Sequence, residues 1–123
     1  MVIPKAREMP AMVPPFTVRA RLTGEEYKVR FSHLWAAIAT RHSDTIDCKF
    51  LVNGRGIIVA LAHPAFEEFR QRAGRSLSDD EAAQLAAAYL RESLEADRDT
   101  HLPILSVPRQ EVLRWAEQLG LLP

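Results

Sequence analysis

The chain of 123 residues has little cysteine: Cys48 is the single one. A lone cysteine excludes an intrachain disulfide, a Cys-x-x-Cys redox motif and a cysteine-rich zinc site. The chain also lacks an apolar run close to the roughly 20 residues that a membrane-spanning helix needs. Its amino-terminal segment has no continuous apolar stretch typical of a secretory signal peptide. We therefore expect a cytoplasmic protein that does not contact a membrane.

Net charge is also missing, because 16 Lys and Arg balance 16 Asp and Glu. A neutral chain gives no electrostatic case for nucleic acid, and it lacks the repulsion that keeps many small proteins apart. The balance hides an asymmetry. Residues 1–77 hold twelve Lys or Arg against seven Asp or Glu, a charge of +5, and residues 78–123 hold four against nine, a charge of −5. These parts can neutralise each other within the fold or across a dimer.

Motifs for catalysis and cofactor binding are absent too. The four histidines form no HxH, HxxxH or HExxH pattern, and the glycines fit neither a P-loop nor a dinucleotide-binding fingerprint. We therefore expect no cofactor and assign no catalytic or metal-binding residue. Two alternatives stay open: Cys48 could be a nucleophile beside a histidine, and His42, Asp44 and Asp47 could assemble a metal site.

What the chain does contain is typical of one globular domain with an amino-terminal arm. Hydrophobic residues make up 47% of the chain and charged residues 26%, which is ordinary for a globular protein. Residues 1–15 include four prolines and therefore predict an extended arm. We expect residues 16–123 to form a single domain.

Two β-hairpins are predicted from alternating apolar residues. In the first, residues 16–22 and 27–31 flank a turn, and a symmetric register sets Leu22 opposite Tyr27. The second covers residues 46–62 around the turn residues 53–56, and a symmetric register sets Val52 opposite Ile57. Because this second hairpin is apolar on both faces, we expect helices or another subunit to cover it.

Helices are predicted from their end signals. Ser32 could begin a helix over residues 33–42. Pro64 and Gly74 bound another, and Ser78 begins a long helix to about residue 96 through a capping box with Glu81. A last helix runs from Pro108 to Gly120. The order of elements predicts an α+β fold, with an antiparallel sheet of about four strands (two hairpins) and three to four helices packed against it.

The most informative feature is the polar face of the first hairpin. The symmetric register sets Arg21 opposite Lys28 and Arg19 opposite Arg30. Like charges opposite each other destabilise a sheet, so this face requires anions. We interpret these four residues as an anion-binding or protein-contact face.

Three sources could supply those anions: the acidic part of the same chain, the acidic part of a second subunit, or nucleic acid. The carboxylates that we expect to serve are those of Asp79, Asp80, Glu81, Glu92, Glu95 and Asp97. Nucleic acid is an unlikely partner on this reasoning, because the aromatic rings of Tyr27 and Phe31 point to the other face.

These patterns predict a small non-enzymatic binding or protein-interaction module that forms homo-oligomers, with a two-fold dimer as the expected form. Two other functions stay open. The chain could be a small enzyme or bind a small molecule in a pocket between sheet and helices. It could instead be a nucleic-acid-associated protein that uses the basic face of the first hairpin.

Overall fold

The computed structural model describes residues 13–37, 44–98 and 101–122. Most of the predicted arm, the second half of the predicted helix 33–42 and the candidate ligand His42 lie outside these residues. The elements follow in the order β1 (Phe16–Arg19), β2 (Glu26–Ala37), β3 (Thr45–Val52), β4 (Arg55–Ala62), α1 (His63–Ala73), α2 (Asp79–Glu95), β5 (Ile104–Val107) and α3 (Arg109–Gln118).

The strands form one sheet in the order β1-β2-β3-β4-β5. The first four pair antiparallel, and β5 runs parallel to β4, with Ile58 beside Ile104 and Leu61 beside Val107. The predicted α+β class is confirmed, and the predicted number of strands is corrected from about four to five. The fifth strand follows the long helix α2, and a crossover of this kind is what a parallel pairing needs.

Strand β2 corrects a second prediction. Residues 33–37 were expected to begin a helix, but they continue the strand and pair with β3. The register shifts between Phe31 and His33, so Ser32 forms a bulge instead of a helix cap. After the bulge, Leu34 pairs with Cys48 on the core side and Trp35 pairs with Asp47 on the other side.

Both hairpins are present, but their registers differ from the predicted ones. Strand β1 ends at Arg19, which pairs with Glu26, because residues 20–25 form a longer turn in which Ala20 and Glu25 are hydrogen-bonded. In the second hairpin Val52 pairs with Arg55, and the turn consists of Asn53 and Gly54, at φ of 51° and 82°. Positive φ at both positions is typical of a type I′ turn. This shift of two residues keeps every side chain on its predicted face.

The helices end where the sequence predicts. Gly74 closes α1 at a φ of 76°. At the start of α2, the backbone N–H of Glu81 donates to Ser78 Oγ over 3.1 Å, and the backbone N–H of Ser78 donates to the Glu81 carboxylate over 3.0 Å. No helix among the described residues is both long and apolar enough to cross a membrane.

All three helices pack on one face of the sheet and enclose the core there. Its largest fully buried side chains include Phe50, Ile57, Leu61, Phe69, Leu85, Leu90 and Leu94. Phe31 packs edge-on against Phe50, with ring centroids 5.4 Å apart. No described helix lies on the opposite face of the sheet. Because the described elements leave the side chains of that face uncovered, we look for the candidate site there.

Candidate functional site

The face of the sheet that points away from the helices is here called the open face. Strand alternation assigns its residues, because neighbours of each core residue point the other way. They are Thr17, Arg19, Glu26, Lys28, Arg30, His33, Trp35, Thr45, Asp47, Lys49, Leu51, Ile58, Ala60, Ala62, Ile104 and Ser106. Cross-strand neighbours include Arg30 with Leu51, His33 with Lys49, and Lys49 with Ile58.

The four cations predicted to share one face are divided by the structure. Arg19 lies on the open face, 3.7 Å from the Glu26 carboxylate, and it donates to the carbonyl of Gly24 over 2.9 Å. Arg21 lies in the turn and reaches Glu95 of α2 at 3.9 Å. The expected opposition of like charges does not form, because strand β1 ends before Arg21 and the register is shifted.

Lys28 and Arg30 remain on the open face, where Lys49 of β3 joins them. Among the described residues, no carboxylate forms an ion pair with any of these three side chains. The side chain of Lys49 lies over Gly56, where an added Cβ would be 3.1 Å from Lys49 Cε. Sequence reasoning missed Lys49, because Lys49 belongs to the second hairpin and the neighbourhood of β2 and β3 is not visible in the sequence.

Cations elsewhere in the chain are arranged differently. We call residues 63–98 and 109–118 the helical layer. Its arginines each contact a carboxylate or an aromatic ring: Arg70 with Glu67, Arg72 with Glu68 and Glu117, Arg75 with Glu81, Arg91 with the ring of Phe16, Arg98 with Glu92, Arg109 with Glu68, and Arg114 with Glu92 and Glu111. In the part of the chain that the structure describes, the cations that contact neither a carboxylate nor a ring, Lys28, Arg30 and Lys49, therefore lie on the open face.

Two aromatic rings lie beside the unpaired cations. His33 and Trp35 stack on the open face with ring centroids 4.9 Å apart and an interplanar angle of 29°. His33 is exposed and Trp35 is half-buried. Sequence reasoning placed both rings on a helix, because the bulge at Ser32 interrupts the alternation that would have assigned them to the strand.

The open face contains two hollows. One, of about 520 Å³, is lined by Thr17, Lys28, Arg30, Leu51 and Asn53 among others. The second, of about 400 Å³, lies at the other end and is lined by Thr45, Ala60, Ala62 and Ser106 with the start of α3. Ile104 is 50% exposed at the β5 edge. The face thus combines cations, stacked rings and apolar side chains on a surface that can receive a ligand.

Cys48 faces the core and is fully buried. Burial raises the pKa of its thiol to about 12, and the negative charge of Asp47 adds to the increase. Its neighbour on β2 is Leu34, whereas His33 points to the open face. A buried thiol with a raised pKa is a poor nucleophile. Within residues 13–37, 44–98 and 101–122, no three His, Cys, Asp or Glu side chains converge to hold a metal ion.

The acidic segment 79–81 serves the fold. Arg75 binds the Glu81 carboxylate through two hydrogen bonds of 2.8 and 3.0 Å. This contact, with the N–H of Ser78, lowers the pKa of Glu81 to about 2. Glu81 is therefore ionised at neutral pH as part of the helix cap.

Comparisons of this chain with protein-family models, with curated proteins and with solved structures found no match. Its function must therefore be inferred from the chemistry of the open face.

Proposed function

We propose that this protein is a small non-enzymatic binding module that holds an anionic partner on its open face. The observation that carries the proposal is that Lys28, Arg30 and Lys49 share this face without carboxylate partners among the described residues. Protein surfaces normally intersperse charges of both signs. A partner that brings negative charge would complete the pairing that the described part of the chain leaves unfinished.

The helical layer provides the internal reference. There each arginine contacts a carboxylate or, in the case of Arg91, an aromatic ring, and Arg114 lies between the carboxylates of Glu92 and Glu111. Carboxylates are thus available in this fold, but among the described residues none forms an ion pair with Lys28, Arg30 or Lys49. The open face itself carries two carboxylates, each two residues from one of these cations. Glu26, near Lys28, pairs with Arg19 at 3.7 Å, and Asp47, near Lys49, accepts a hydrogen bond from Thr45 Oγ1 over 2.7 Å.

A binding role is also supported by the position of the candidate nucleophile. Cys48 and His33 lie on opposite faces of the sheet, so the sheet itself separates the pair that a cysteine enzyme would need. Large apolar side chains such as Phe50, Phe69 and Leu85 fill the centre of the space between sheet and helices. At its edge a hollow of about 380 Å³ is lined by Phe16 of β1, by Ala87 and Arg91 of α2, and by Leu119. The hollows of about 520 and 400 Å³ described above lie on the open face.

Self-association stays a prediction. Leu51, Ile58 and Ile104 give the open face apolar area that a second copy could cover, which is what the apolar character of the second hairpin predicts. An isologous contact would bring identical patches together. The cations near a two-fold axis would then repel each other unless Asp47 of each copy met Lys49 of the other.

Retention on a column of heparin, a polyanion, tests the proposed function. The double variant Lys28→Glu/Arg30→Glu should elute at much lower salt than the wild-type protein. The matched control is Arg70→Glu/Arg98→Glu, which changes net charge equally at side chains of the helical layer that are 62% and 51% exposed. Circular dichroism verifies that both variants are folded. If both variants elute together, retention follows net charge alone and the open face is not the binding surface.

A further inference from the structure

We infer that the anionic partner of the open face is a single-stranded nucleic acid, an inference that rests on the proposed function. Three features of one surface carry it: the cations Lys28, Arg30 and Lys49, which have no carboxylate partner in the described part of the chain, the stacked rings of His33 and Trp35, and the apolar side chains between them. Proteins that bind single strands combine a positive groove for the backbone with aromatic rings on which bases stack.

The cations lie on two neighbouring strands, with Glu26 beyond Lys28 and Asp47 beyond Lys49 at the two ends of the set. Lys28 and Arg30 are two residues apart on β2 and therefore about 7 Å apart on the same side of the strand. Lys49 lies on β3 beside His33, so positive charge extends from the 520 Å³ hollow towards the aromatic rings. A chain of phosphates could follow these three cations, whereas one isolated anion would use only part of the set.

The rings distinguish a nucleic acid from an acidic protein. Carboxylates of a protein partner would pair with the cations but would leave the stacked faces of His33 and Trp35 without a matching group. Unstacked bases present flat π-surfaces of the right kind. A duplex keeps its bases stacked internally, so the rings favour a single strand.

The neutral composition does not oppose this inference. Each arginine of the helical layer contacts a carboxylate, except Arg91, which contacts the ring of Phe16, whereas among the described residues Lys28, Arg30 and Lys49 contact no carboxylate. The sequence argument against nucleic acid depended on the rings of Tyr27 and Phe31, which do pack against the core. The continuation of β2 beyond Ser32 supplies other rings on the cationic side.

Fluorescence of Trp35 gives a direct test. The variant Trp115→Phe removes the other tryptophan, whose indole N–H is buried without a hydrogen-bond partner among the described residues, so the fold should tolerate the change. Adding a thymidine or uridine oligonucleotide should quench Trp35 fluorescence and saturate. With a labelled oligonucleotide, Trp35→Ala should bind about tenfold more weakly or worse.

Salt dependence tests the cations in the same assay. If Lys28, Arg30 and Lys49 each neutralise one phosphate, log K should fall against log salt with a slope of about −2. The triple alanine variant should remove most of that slope, whereas Arg70→Ala/Arg98→Ala should keep it. A duplex of the same sequence should bind more weakly and leave Trp35 unquenched.

The outcomes separate the two proposals. Retention on heparin without oligonucleotide binding overturns the nucleic-acid inference and leaves an anionic protein as the partner of the binding module. Binding that Trp35→Ala does not weaken, or equal binding of duplex and single strand, also overturns it. If light scattering shows a dimer that Trp35→Ala dissociates, and no oligonucleotide binds, the occupant is a second copy. If the wild-type protein binds neither heparin nor an oligonucleotide, the proposed function is rejected as well.

Discussion

Helices cover one face of the five-stranded sheet, and every large side chain on that face has apolar neighbours. The other face carries Lys28, Arg30 and Lys49 without carboxylate partners among the described residues, although the helical layer pairs its own arginines. Both faces use the same strands and the same alternation. They differ in whether the positively charged side chains beside them contact carboxylates among the described residues.

This difference separates the face that is arranged for stability from the face that is not. The covered face follows the rules of packing and pairing that a stable fold requires. The open face departs from them in charge, and departures of this kind are expected at functional sites. The following experiments test whether the two faces differ as much as the geometry implies.

The largest contrast should be in thiol reactivity. Cys48 on the covered face has a pKa raised from 9.0 to about 12, so its thiolate is about 1,000-fold scarcer at neutral pH. The variant Cys48→Ala/Leu51→Cys moves the cysteine to the open face. Its labelling by a thiol reagent should be faster by about that factor or more. Similar rates would show that the covered face opens readily or that Leu51 is shielded.

Truncation of side chains should show the next largest contrast. Phe50→Ala removes a fully buried ring from the core and should lower the free energy of unfolding by about 3–5 kcal/mol. Leu51→Ala removes a half-buried side chain from the open face and should cost about 1 kcal/mol. Chemical denaturation of both variants measures the difference. Equal losses would mean that something covers the open face in solution.

The cap of α2 should have a smaller effect. Ser78→Ala removes the oxygen that accepts from the N–H of Glu81 and should lower stability by about 1 kcal/mol. The covered face depends on this helix, whereas the open face does not touch it. Oligonucleotide or heparin affinity should therefore be unchanged once the folded fraction is taken into account. A change in affinity would show that the cap of α2 influences binding at the open face.

Acid should weaken the same cap. The pKa of Glu81 is lowered from 4.5 to about 2 in the fold, so its carboxylate stabilises the protein above pH 4.5. That contribution falls progressively between pH 4.5 and 2 as the group becomes protonated. Glu81→Gln should cost less than about 1 kcal/mol at pH 7 and should reduce the dependence of stability on pH in that range. An unaltered acid slope would show that other carboxylates dominate it.

The sequence predicted the covered face better than the open one. Core residues such as Cys48, Phe69 and Leu85 follow from periodicity, and the ends of α1 and α2 follow from Gly74 and Ser78. A shift of register by two residues changes the cross-strand partners but leaves each side chain on the same side of the sheet. The second hairpin therefore has the predicted faces but different partners. These features depend on local chemistry, which the sequence contains.

The open face depends on what the sequence does not display. The bulge at Ser32 reverses the side on which later residues of β2 lie, and it places Trp35 beside cations instead of on a helix. The position of Lys49 depends on the pairing of β2 with β3. The parallel strand β5 depends on a crossover through α2. The bulge, the position of Lys49 and the strand β5 all depend on pairing between segments that are distant in the sequence. No local pattern predicts that pairing.

The smallest effect should come from the cations themselves. Lys28→Ala/Arg30→Ala/Lys49→Ala removes no ion pair formed among the described residues, so the free energy of unfolding should change by less than about 0.5 kcal/mol. The variant loses the small stabilising contacts of the aliphatic stems of these side chains. It also loses the repulsion between the three cations, which has the opposite effect on the free energy of unfolding.

A single substitution in the helical layer provides the comparison. Arg114→Ala removes contacts with Glu92, Glu111 and the ring of Trp115, and it should cost more than the three open-face substitutions together. Thermal and chemical denaturation at one salt concentration measure both variants. If the triple variant is the less stable of the two, these cations support the fold and their lack of partners cannot indicate a binding surface. If it is as stable as wild type but loses affinity for polyanions, the open face contributes binding without contributing stability.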